Sequence, residues 1–107
     1  MIEIPSPKIT KLDLSNKGLT TIPQEVYDLK NLKKLNLSGN KLKVITKEAN
    51  RLKKLEMLDV SNNKIVNLYS KNFEFRRLRI LNLNNNNISS IPLQIFLKVM
   101  YQIVIIL

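Results

Sequence analysis

Apolar and polar positions repeat along this chain in one fixed order. From Leu55 to Ile65 the pattern is L-x-x-L-x-V-x-x-N-x-I, and it returns 23 residues earlier, from Leu32 to Leu42, and 23 residues later, from Leu78 to Ile88. A further copy, with Lys17 in the place of the Asn, runs from Ile9 to Leu19. A constant period of this size is the signature of a solenoid, whose coils bury their apolar sides only against one another. Within each copy the apolar positions 4 and 6 flank a polar position 5, which is the period-two alternation of a short half-buried strand.

A turn must follow that strand. Position 9 is Asn40, Asn63 and Asn86 in three copies. An Asn amide both donates and accepts, so stacked Asn side chains would satisfy buried peptide groups that no regular element pairs. The return half of each copy carries Ile22, Ile45, Leu68 and Ile91 at position 14, then Val26 and Leu29, Ala49 and Leu52, Phe73 and Phe75, and Ile95 and Phe96. Apolar residues at such short intervals predict a brief helix or 3₁₀ turn behind each strand. Pro23 and Pro92 suit the opening of such a segment, where a missing N–H costs nothing.

These features resemble the leucine-rich repeat family, most closely its 23-residue typical subclass. The stretch Leu19-Thr20-Thr21-Ile22-Pro23-Gln24-Glu25-Val26-Tyr27-Asp28-Leu29 is similar to that subclass's L-x-x-[LI]-P-x-x-[LV]-x-x-L return, and the resemblance covers residues 9 to about 98. It implies an α/β solenoid: a right-handed coil with a parallel sheet on the concave face, where partners commonly bind, and short helical or 3₁₀ segments on the convex side. The expected organisation is a lead-in over residues 1–8 and a repeat domain over 9–107, made of repeats 9–31, 32–54, 55–77, 78–100 and a partial 101–107. Pro5 and Pro7 discourage helix and ladder pairing in the lead-in, and Ile2 and Ile4 are placed to shield the end of the core. The departures from the pattern are Lys17, Thr46 and Tyr69 at position 15 in place of Pro, and the Phe73 to Phe75 return. A looser first turn and an irregular third return are therefore expected.

Composition narrows the chemistry. The 107 residues form at most one domain, and 18 Lys and Arg against 8 Asp and Glu give a net charge of +10, which favours anionic partners or simply solubility. With no Cys and no His, disulfide caps, the usual zinc sites, thiol nucleophiles and His-based triads are excluded. Only Gly18 and Gly39 are present, so there is no Gly-rich phosphate loop. No enzyme activity, cofactor or metal is expected. The first eight residues lack a basic and then apolar leader pattern, so the expected setting is intracellular and cytoplasmic. The sequons at Asn36 and Asn87 would matter only in a secreted chain.

The outward strand positions define a candidate binding face. Position 3 runs Lys11, Lys34, Met57, Ile80, Ile103, and position 5 runs Asp13, Asn36, Asp59, Asn82, Ile105. Met57 beside Ile80, rimmed by Glu56 and Arg79, has the form of an apolar interface centre with a charged edge. The expected function is a protein-binding scaffold or adaptor that uses Lys11, Lys34, Glu56, Met57, Asp59, Arg79, Ile80 and Asn82. The alternatives are a recognition segment of a larger enzyme or signalling protein, or a self-associating chain.

Basic residues also recur before each strand, at Lys8, Lys30, Lys53 with Lys54, and Arg76 with Arg77; a solvated edge is the preferred account. Nucleic acid is not an expected partner, since no aromatic residues for base stacking interleave with these cations. Continuing the period puts Tyr101, Val104 and Ile106 inward and Gln102, Ile103 and Ile105 outward in a fifth strand. The run from Val99 to Leu107 is almost wholly apolar and too short to span a bilayer. It is read as part of a longer array, as a homodimer contact through residues 101–107, or as an unusual cap.

Overall fold

The computed structural model describes residues 2–95, 97 and 103–107; Phe96, Tyr101 and Gln102, given roles above, lie outside them. The element order is β1 (Lys11–Asp13), η1 (Gln24–Asp28), β2 (Lys34–Asn36), η2 (Lys47–Arg51), β3 (Met57–Asp59), η3 (Ser70–Asn72), β4 (Ile80–Asn82) and β5 (Val104–Ile106), the η segments being 3₁₀ helices. The strands form one parallel sheet in the order β1-β2-β3-β4-β5. Leu12, Leu35, Leu58 and Leu81 are register partners on successive strands, as the 23-residue period requires.

Stacking decides burial. At position 11, Leu42 and Ile65 are fully buried between coils, whereas Leu19 and Ile88 in the outer coils are only partly covered. Each fully buried Leu or Ile is worth about 1.5–3 kcal/mol relative to exposure, so the inner coils depend on having a neighbour on both sides. Ile2 and Ile4 pack partly buried against the same core at its first coil.

The turn after each strand has two parts. Position 8 takes a positive φ at Asn16, Gly39, Asn62 and Asn85, which are residue types that tolerate the left-handed region. At Gly39 a Cβ would also collide with the Asn16 side-chain oxygen. Position 9 then ties the coils together. Asn63 Nδ2 donates to the carbonyls of Val60 and Ser61 in its own coil and of Leu37 in the coil before, while its Oδ1 accepts the Leu42 N–H at 3.0 Å. Asn40 does the same for Leu37, Ser38, Leu14 and Leu19, and Asn86 for Leu83, Asn84, Val60 and Ile65. Among the described residues no buried side-chain polar atom is left without a partner.

On the opposite side, Val26, Ala49, Asn72 and Ile95 donate their N–H to the carbonyls of Pro23, Thr46, Tyr69 and Pro92. The turn uses the carbonyl at position 15, not the ring, so Thr46 and Tyr69 serve as well as proline. The third return is the shortest of the 3₁₀ segments. There Asn72 takes the buried place of Val26 and Ala49, donates to the Ile45 carbonyl at 2.8 Å, and lies beside Phe73 and Phe75, whose rings meet edge to face at 6.1 Å. An exposed ion pair, Arg51 to Asp28 at 2.7 Å, joins η2 to η1 and adds at most about 1 kcal/mol.

The fifth strand corrects the sequence expectation. Val104, Ile105 and Ile106 pair with Ile80, Leu81 and Asn82, so the last step from Leu81 to Ile105 is 24 residues instead of 23. The return before it is α-helical at residues 93–95 and 97, where the earlier ones are 3₁₀. An α-helix rises about 1.5 Å per residue against about 2.0 Å for 3₁₀, so more residues are needed to cover the same span. One residue of slip exchanges the faces of a strand. Val104 and Ile106 therefore point outward, 61% and 43% exposed, while Ile103 is buried and Ile105 half-buried.

Two stability measurements follow. Asn63→Leu strands the carbonyls of Leu37 and Val60 and the N–H of Leu42, so at about 1–3 kcal/mol per unpaired buried group urea unfolding should show a loss of at least about 3 kcal/mol. Lys64→Ala beside it should stay within about 0.5 kcal/mol. For the fifth strand, Ile105→Lys should cost more than about 2 kcal/mol, with Val104→Lys nearly neutral. The reverse order would restore the 23-residue register.

Candidate protein-binding face

The sheet presents its outward residues as columns, with neighbours about 4.8 Å apart. Lys11, Lys34, Met57, Ile80 and Val104 are register partners in one column, and Asp13, Asn36, Asp59, Asn82 and Ile106 in another. Glu56 and Arg79 immediately precede β3 and β4, and the Arg79 N–H donates to the Glu56 carbonyl at 2.8 Å. All eight residues selected from the sequence thus lie on or beside one face. Lys11, Lys34 and Arg79 are exposed; Glu56, Met57, Asp59, Ile80 and Asn82 are half-buried. A shallow depression of about 370 Å³ opens between β1 and β3, lined by Lys11, Asp13, Lys34, Asn36, Met57 and Asp59 over Leu12 and Leu35.

Comparison with known proteins agrees with this architecture. A family model described as "Leucine rich repeat" matches residues 7–65, and a second, described as "Leucine Rich Repeat", matches residues 77–98. The chain belongs to the leucine-rich repeat family. Among solved structures it is similar to a leucine-rich repeat protein of Leptospira interrogans, with 35% identity and a TM-score of 0.70. The match covers 82% of this chain and 22% of that one, so the chain spans under a quarter of that protein's length. A search of curated proteins finds no match.

Within this leucine-rich repeat face, the position 5 side chains are already engaged. Asp13, Asn36, Asp59 and Asn82 each accept the N–H of the residue two further on, at 2.9–3.0 Å. The Ser38 and Ser61 hydroxyls donate to Asn36 and Asp59 as well. They are Asx turns that close the end of each strand. Hydrogen bonds from the Ser15 hydroxyl and N–H, with Lys17 nearby, hold the Asp13 carboxyl below its ordinary value. Asp13 and Asp59 are separated by the strand that carries Asn36, and each is bound into its own turn, which gives no paired acid and base. Among the described residues no group of three His, Cys, Asp or Glu is placed to hold a metal ion, and no helix is long and apolar enough to cross a membrane.

The lysines are different. Among the described residues the ion pair is Arg51–Asp28, on the far side of the coil, and Lys11, Lys33 and Lys34 have no carboxylate within ion-pair distance. Of the basic residues that precede the strands, Lys54 donates to Asn31 at 2.9 Å across one coil, and Lys30, Lys53, Arg76 and Arg77 are exposed.

Sequence reasoning missed Val104 and Ile106 as face residues and put Ile103 and Ile105 there instead. The structure buries Ile103 and half-buries Ile105. The only signal lay in the helical return, because the strand itself is apolar at every position.

Asp13 offers a titration test. Its lowered pKa means that its contribution to stability is present above the unfolded-state value of 3.8 and is lost as pH falls through the lower folded value. Carboxyl NMR should find Asp13 titrating below 3.8 in the wild type and moving up toward the ordinary value in Ser15→Ala.

Proposed function

We propose that this leucine-rich repeat chain is a non-catalytic protein-binding module, of the scaffold or adaptor kind, that takes its partner on the outward face of the sheet. One observation carries the reading: Met57 and Ile80 are register partners at the middle of the face, half-buried, with Lys34, Glu56 and Arg79 around them. Side chains already held by their neighbours lose little freedom on binding, and a central apolar pair inside a charged rim is where interface energy concentrates. The same face would serve a recognition segment of a longer protein, as the 22% share of the Leptospira chain allows.

The test is a Met57→Glu/Ile80→Glu double variant, confirmed as folded by circular dichroism and compared with Lys47→Glu on η2. Protein captured from the source cell by the wild type should be lost from the double variant and kept by Lys47→Glu. Each anchor is expected to be worth about 2 kcal/mol, so loss of both lowers affinity by more than about a hundredfold. Equal capture by the folded double variant would exclude this face.

A further inference from the structure

The face is not uniform from one end to the other. In the first two coils its outward positions hold Lys11, Lys33 and Lys34 against Asp13, a net charge of +2. The next two coils hold Arg79 against Glu56 and Asp59, a net charge of −1, around the Met57–Ile80 pair. The corrected register of β5 then adds Val104 and Ile106, apolar and exposed, to the columns that begin at Lys11 and Asp13. Each column therefore changes from polar to apolar along the coil axis.

The one carboxylate among these basic residues, Asp13, leaves the first two coils net positive. Asp13 and Asp59 are turned into their own Asx turns. The three ammonium groups carry no ion pair among the described residues. Close-set, unpaired like charges repel mildly until an anion sits on them.

We infer that the face takes an extended, polarised peptide laid across the strands, its acidic end over β1 and β2 and its apolar end over β4 and β5. The inference rests on the protein-binding reading above and adds the chemistry and direction of the ligand. Four strand steps of about 4.8 Å span about 19 Å, the length of about six extended residues at about 3.3 Å each. The depression between Lys11, Lys34 and Met57 takes the middle of the acidic half. A polyanion such as nucleic acid or an anionic lipid surface fits worse, because its charge is uniform and the half of this face around Met57 and Ile80 is net negative, with Arg79 set against Glu56 and Asp59.

The test uses the whole chain and two fluorescent probe peptides of equal composition. One carries three acidic residues followed by three leucines; the other alternates acidic residue and leucine. Anisotropy at low salt should show the block peptide binding about tenfold more tightly or better. Lys11→Glu/Lys34→Glu should weaken it by about tenfold, and the effect of that variant should shrink at about 0.5 M salt. Val104→Lys/Ile106→Lys should weaken it with little salt dependence. A spin label at the leucine end should broaden the Ile80 and Val104 methyl signals and leave the Lys11 region sharp.

Equal affinity of the two peptides, no binding of either, or broadening at the Lys11 end would overturn the polarity. So would binding of an oligonucleotide or anionic vesicles that the Val104/Ile106 variant leaves unchanged. The broader reading fails separately, when the Met57/Ile80 variant retains capture of its protein partner.

Discussion

A single side-chain amide per coil holds this architecture together. A strand of three residues ends almost as soon as it begins, and the chain must then turn within the core, where backbone N–H and C=O groups have no ladder to join. Asn40, Asn63 and Asn86 meet that demand from inside: Nδ2 binds carbonyls of two successive coils and Oδ1 binds an N–H of the earlier one. Asp lacks the donor, Leu lacks both functions, and Gln holds its amide one carbon too far away. The bond network also has a direction, since each Asn serves the coil before it. Lys17 is tolerated for this reason: the turn it belongs to is served by Asn40, which accepts the N–H of both Lys17 and Leu19.

That constraint explains what could be read from the sequence. Leu35, Leu58 and Leu81 had to share a column because a slip of one residue would pull every Asn away from its carbonyls and turn every leucine outward. The strands, the Asn positions and the general place of the eight candidate residues followed from this agreement between levels. Position 8 was legible in principle, as Asn16, Gly39, Asn62 and Asn85, but its role is conformational and shows only in the positive φ. Asn72 was hidden differently. It looks like a polar break in the third return, yet it is buried, and only the Ile45 carbonyl above it makes that tolerable.

β5 departs from the period of the other strands. A strand with alternating polarity announces its register, whereas Ile103 to Leu107 is apolar throughout and fits either face. Upstream, the described residues 93–95 and 97 are α-helical where the earlier returns are 3₁₀, and the step to β5 is one residue longer than those before it. The information was tertiary, and the period of 23 residues in the rest of the chain argued for the wrong answer.

The same register that stacks the core also builds the surface, and it separates the two problems. An inward position is constrained by coils on both sides, but an outward one such as Lys11, Lys34, Met57 or Ile80 meets only its column neighbours and solvent. Substitution there redraws the face without disturbing the stack. Position 5 is the exception, because its oxygen closes the turn; hence Asp and Asn alternate there while position 3 ranges from Lys to Ile. Position 5 therefore holds its amides and carboxylates fixed in turns, and the free side chains of the face fall to positions 2 and 3. A surface with polar rows held in turns, exposed unpaired lysines at one end and apolar side chains at the other pairs no acid with a base among the described residues. It suits the proposed task of orienting a chain that crosses it.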